Sequence, residues 1–167
     1  MMTKRKIGNG VKSAGAALLI MVMASGVVAG TYDDVPRMTI EHLGVSVPAP
    51  PGTDIEADDF FPTTRHLHLP EVSLSVGFFS QGLSDDVEET LEVLETRWQG
   101  MRDIQQMETE HGWVLSFIAG EGDHVSQSVI SRAVVDDERV VGCDYMGAHD
   151  PDELDRVRDW CRHVTPL

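Results

Sequence analysis

Hydrophobic positions along this chain recur with two periods, and their order predicts the architecture. Leu43, Val45 and Val47 alternate with Gly44 and Ser46, the period-two pattern of a half-buried strand, which Pro48-Ala49-Pro50-Pro51-Gly52 stops. After an acidic stretch through Asp59, His66 and His68 alternate with Leu67 and Leu69. Beyond Pro70-Glu71 the alternation resumes at Val72, Leu74, Val76 and Phe78, so two short strands meet at a turn. The period then lengthens: Val87, Leu91, Leu94, Trp98 and Met101 lie on one helical stripe behind an Asp85/Glu88 capping box, with the end near Gly100.

Three strands are expected over residues 104–110, 113–119 and 125–135, followed by a fourth over 139–146. Their β-branched runs favour an antiparallel meander with one face buried. Asp150 as N-cap, Pro151 at the first helical position and Glu153 open a closing helix with the stripe Leu154, Val157, Cys161 and Val164. Strands, helix, strands and helix, without repeats or a long linker, make one α+β domain: an antiparallel sheet packed by two main helices.

The N-terminal end follows a different pattern. Lys4, Arg5, Lys6 and Lys12 precede an uncharged run from Ser13 to Gly30 whose apolar heart, Ala14 to Met23, is short for a bilayer span. Residues 1–30 therefore read as a secretory signal peptide cleaved after Gly30, with a retained anchor as the alternative. Residues 31–37 read as a flexible leader, and 38–167 as the folded domain. A periplasmic or secreted location follows, with no membrane attachment after cleavage.

Charge sharpens the picture once that segment is set aside. Nine arginines and no lysine remain against 28 acids, a net charge of −19. Such a surface repels nucleic-acid phosphates and anionic lipid, and it attracts cationic partners. A basic protein partner is expected to meet the Glu88, Glu89, Glu92 and Glu95 face of the first helix, although the same glutamates also serve as a solvated surface. The monomer or a weak oligomer is the expected state.

Chemistry-bearing motifs are few. There is no Gly-x-Ser-x-Gly elbow and no His-Glu-x-x-His helix, so no catalytic residue is assigned and no cofactor is expected. A triad of Ser, His and Asp from distant positions is recognised only by geometry. His66 and His68 share one face of a strand and could supply two ligands to zinc, nickel or copper. The other candidates, His42, His124, Asp58 and Asp59, are placed by nothing in the sequence, and the pair reads first as solvent-facing histidines. The Asp54-x-Glu56-x-Asp58 run fails as an EF-hand loop because Asp59 replaces the turn glycine and Arg65 the bidentate glutamate. Cys143 and Cys161, both in apolar phase, are expected to form a disulfide.

The order of elements, with Val-Ser-Val-Pro-Ala-Pro-Pro-Gly from Val45 to Gly52, resembles the Mog1/PsbP-like sandwich domains, including exported bacterial proteins of the DcrB and LpqN kinds. Thr53 stands where an aromatic residue is expected, and no functional residue carries over. The resemblance implies an accessory or binding role and names no partner. The expected function is therefore that of an exported, non-catalytic binding protein of the bacterial cell envelope, such as an accessory factor or an immunity protein against a cationic toxin. The alternative is a metal-binding or hydrolytic extracytoplasmic protein using His66 and His68.

Overall fold

The computed structural model describes residues 32–167 except 71, 79–82 and 123, so the signal-peptide expectation lies outside the described residues. Two antiparallel sheets and two helices form a mixed α+β fold. The large sheet runs β3(Asp54–Ala57), β4(Arg65–His68), β5(Ser73–Phe78), β9(Val140–Ala148), β8(Ser126–Val134), β7(Gly112–Ala119), β6(Arg102–Thr109). The small sheet places β2(Val45–Pro48) between β1(Arg37–Ile40) and β10(Thr165–Pro166). The expected meander is present as β6 to β9, each strand paired with the next.

Strand alternation gives the large sheet two different faces. One presents Leu67, Leu74, Val76, Val129, Cys143 and Tyr145 to the small sheet and to α2(Pro151–Cys161), which contributes Leu154, Val157, Trp160 and Cys161. The opposite face is divided. Over β6 and β7 it is apolar, and Trp113, Leu115 and Phe117 pack against Leu91, Leu94 and Trp98 in and just beyond α1(Val87–Arg97). No residue of β3, β4, β5 or β9 joins that cluster among the described residues. On this half of the face stand His66, His68, Ser73, Ser75 and Asp144.

The second helix begins as expected: Asp150 accepts from the amides of Asp152 and Glu153, with Pro151 in the first turn. A buried Gln127 accepts the Asp150 amide at 2.8 Å and donates to the Tyr145 hydroxyl, which donates in turn to Glu153. This network satisfies polar groups that the sheet would otherwise strand.

Four local expectations change. The first helix is capped by Asp86, which accepts from the Glu88 amide, rather than by Asp85. Asp85 is instead drawn to the largely buried Arg132 guanidinium. The same helix ends at Arg97, with Trp98 already extended. Residues 54–57, taken for part of an acidic connection, pair as β3 through a full register with β4. The expected leader is held in place: Tyr32–Asp34 forms a 3-10 turn, His163 donates to Asp33, and Arg37 donates to Ser46, the His163 carbonyl and Thr165. A guanidinium with four acceptors fastens the chain at the edge of the small sheet.

Cys143 and Cys161 are joined by a disulfide, with Cα atoms 5.8 Å apart. It ties β9 to the last turn of α2 from the core side. No described helix is long and apolar enough to cross a membrane.

Candidate functional site

The half of the large sheet that no described helix covers carries a polar ladder written into hairpin register. The β4–β5 turn sets His66 opposite Ser75 and His68 opposite Ser73, all four on one face, while Leu67 and Leu74 point into the core. The Ser75 hydroxyl donates to His66 Nδ1 at 3.0 Å, and His66 Nε2–H donates to Asp58 Oδ2 at 2.7 Å. A carboxylate can only accept, so Nε2 carries the proton and Nδ1 is left to accept from serine. Two residues along, His68 Nδ1 meets Ser73 Oγ at 2.8 Å, with Glu56 Oε2 3.4 Å from Nε2. The acid–histidine–serine chain is thus made twice, the Asp58 copy being the tighter.

Asp58 is held by the turn it makes. Its Oδ1 accepts the amides of Phe61 and Phe60, at 2.7 and 2.8 Å, fixing the connection between β3 and β4. These two bonds are the main cause of a carboxyl held below its usual range, with His66 adding to them. A depressed carboxyl contributes stability above its ordinary pKa of about 3.9, and that contribution disappears as pH falls through the lower folded value. Asp58→Asn, which keeps an acceptor but loses the charge, is expected to lower the thermal midpoint at neutral pH. The deficit against the parent should vanish in acid below the ordinary carboxylate range, as thermal unfolding across pH would record.

The turn also presents what lies beside it. Phe60 and Phe61 are 87% and 67% exposed, two adjacent aromatic rings at a loop tip whose backbone is pinned. Met146, on the same sheet face as Asp144, is exposed as well. Beside Phe61 lies a recess of about 330 Å³ lined by Asp58, Phe61, Thr64, Ser75, Gly77, Phe78 and Asp144. Gly77 is required there: a Cβ at that position would come within 2.6 Å of Thr64 Oγ1 and 3.1 Å of its Cα, so any side chain would force Thr64 to shift.

Asp144 faces Ser75 across the β5–β9 ladder. Desolvation raises its carboxyl above the usual range, although the residue itself is exposed. Among the described residues it has no hydrogen-bond or ion-pair partner.

The remaining sequence candidates are dispersed. Of the four further groups considered as ligands with His66 and His68, Asp58 alone is brought to His66. His42 sits near Arg65, its pKa lowered by burial first and by that charge second, and His124 lies in the turn before β8. Each nitrogen of His66 and His68 faces a protein oxygen, and among the described residues no group of three or more His, Cys, Asp or Glu is placed to hold a metal ion. Glu88, Glu89, Glu92 and Glu95 all lie on the exposed side of α1, Glu88 accepting from Gln106 and Glu89 from Ser84. They share a face with each other but not with the recess. The sequence reading missed Ser75, Asp144, Phe60 and Phe61. Hairpin arithmetic about Pro70–Glu71 would have paired Ser75 with His66, whereas Asp144 reaches the site only through the β5–β9 pairing between distant segments.

Compared with models of known protein families and with characterised proteins, the chain matches none.

Proposed function

We propose that this is an exported, non-catalytic binding protein of the bacterial envelope that captures a basic protein partner, in the manner of an accessory factor or of an immunity protein against a cationic toxin. The observation that carries this reading is the Phe60–Phe61 pair, exposed on an Asp58-locked turn in a part of the chain bearing 28 acids and nine arginines. Charge supplies long-range steering but little specificity, and protein contacts draw affinity from a few aromatic anchors. Rigid anchors lose little entropy on binding, which favours a pinned turn over a mobile one. Export is supported by the basic and apolar N-terminal pattern together with the Cys143–Cys161 bridge, a bond that persists in oxidising compartments. We extend the fold reading in the same spirit to a Mog1/PsbP-like sandwich, on the order of elements and the Pro-Pro-Gly entry after β2.

Affinity capture from an envelope extract, followed by kinetics with the recovered partner, tests the proposal. The partner is expected to be basic. Its association rate should fall steeply as salt rises past about 0.1 M, where the Debye length is about 10 Å. Replacing both Phe60 and Phe61 by alanine should weaken binding about tenfold or more, since an anchor residue is worth over ~1.4 kcal/mol. An acidic partner, or kinetics indifferent to salt and to both phenylalanines, would overturn it.

A second reading, hydrolysis, has one observation in its favour: the hydrogen-bonded Asp58–His66–Ser75 chain, in which Ser75 would be the nucleophile and His66 its base. Two features place it second. Ser75 lies mid-strand between β4 and β9, where backbone amides serve the sheet rather than an oxyanion, and the Asp144 carboxylate opposite would oppose negative charge at the reacting carbonyl. Covalent labelling of Ser75 by a fluorophosphonate, lost on His66→Ala, would promote it.

A further inference from the structure

The recess beside Phe61 differs in composition from the acidic face of α1. It joins Asp144, a carboxylate without a partner among the described residues, to the ring of Phe61 over a floor kept low by Gly77, while Phe78 at its edge turns its side chain to the core. The other carboxylate in the wall, Asp58, already accepts two amides and the His66 ring. Among the described residues the site is therefore not a general acidic patch but a pocket with a single open anionic acceptor.

We propose that this recess is the specificity pocket of the binding surface and receives one guanidinium side chain from the basic partner, paired with Asp144 and lying against Phe61. The inference rests on the binding reading above and moves the decisive contact from the α1 glutamates to the β3–β4–β5–β9 half of the sheet. A planar guanidinium suits it for three reasons. It can bond a carboxylate through two parallel N–H groups, it stacks on an aromatic face, and it sheds water more readily than an ammonium. A volume of about 330 Å³, open to solvent on one side, admits one long side chain and little more. Charge complementarity argues for the occupant: no arginine or lysine of the chain occupies this position among the described residues, so the cation must come from outside. Phe60, exposed next to Phe61, would rest on the apolar surroundings of that arginine.

The test uses isotope-labelled protein and three short peptides identical except at one central residue: arginine, citrulline or lysine. Amide chemical shifts are followed during titration. Arginine peptide is expected to move the resonances of Ser75, Gly77 and Asp144, to bind at least about fivefold more tightly than the neutral, equally shaped citrulline peptide, and to exceed lysine. Asp144→Asn should abolish the arginine preference. Phe61→Ala, at an exposed position that the fold does not need, should weaken arginine binding several-fold with the spectrum otherwise intact. Triple charge reversal at Glu88, Glu92 and Glu95 should leave the shifts at the recess in place. Equal binding of arginine and citrulline peptides, or an arginine preference that survives both recess variants, would overturn the pocket. If arginine and lysine peptides instead shift α1 around Glu88–Glu95, the pocket is wrong while the basic-partner reading stands. If no peptide gives a charge-dependent shift anywhere, both fail.

Discussion

Replacing Trp160 by alanine is expected to destabilise the fold by about 3–5 kcal/mol, the usual cost of emptying a large aromatic site in a core. The ring is wholly buried, and it lies where α2, the large sheet and the small sheet converge. Its indole N–H donates to the Pro48 carbonyl at 3.0 Å, at the end of β2 and just before the Pro50-Pro51 turn. Deleting the indole leaves a cavity and also a buried carbonyl without its donor, which adds about 1–3 kcal/mol where water cannot enter. Domains of this size are stable by only about 5–15 kcal/mol, so the variant should be marginal at 37 °C. Trp160→Phe separates the two contributions, since it fills most of the space and orphans only the carbonyl. Denaturant unfolding should rank the parent above Trp160→Phe and that variant above Trp160→Ala. Equal stability of the two variants would mean that the hydrogen bond, not the volume, dominates.

Trp160 also shows where sequence patterning is strong and where it fails. The second helix was legible from its start at Asp150, Pro151 and Glu153 through the stripe Leu154, Val157, Cys161, because caps and period are local, but Val164, expected on the same stripe, lies beyond its end at Cys161. Trp160 was not on that stripe, yet it is the largest fully buried side chain, since the small sheet covers a second side of the helix. No local pattern announces a second sheet. The same limit explains β3. Asp54-Ile55-Glu56-Ala57 alternates correctly but carries one large apolar residue, so it reads as an acidic connection until β4 pairs with it.

The candidate site was legible in halves. His66 and His68 on one face of a strand follow from alternation alone, and the structure places them there. What they meet depends on three levels of distance along the chain. Asp58 arrives through a tight turn, Ser75 through a hairpin, and Asp144 through a pairing that spans the whole of α1 and the meander. Local periodicity reports side-chain facing, while partners across a sheet are fixed by register, and register between remote strands is settled by the core. The glutamates of α1 illustrate the converse: their shared exposed face was visible in sequence because helical period alone determines it.

Opening the Cys143–Cys161 bridge, by reduction or by a double serine substitution, is expected to cost about 3 kcal/mol. A bridge closing a separation of 18 residues restricts the unfolded chain by roughly that amount. Both cysteines are buried, so serines add the burden of two hydroxyls in an apolar setting, and a double alanine variant gives the cleaner measure. The consequence should extend beyond global stability. Cys143 and Asp144 are consecutive on β9 and point to opposite faces, so the bond that fastens the strand to α2 on the core side also steadies the carboxylate on the open side. Hydrogen exchange of the reduced protein is therefore expected to show β9 and the end of α2 opening more readily than β6 and β7, which α1 secures independently. If amides across the whole sheet lose protection uniformly, the bridge acts only through the unfolded state. If the loss concentrates on β9, the redox state of a core disulfide governs how firmly Asp144 is presented to a partner.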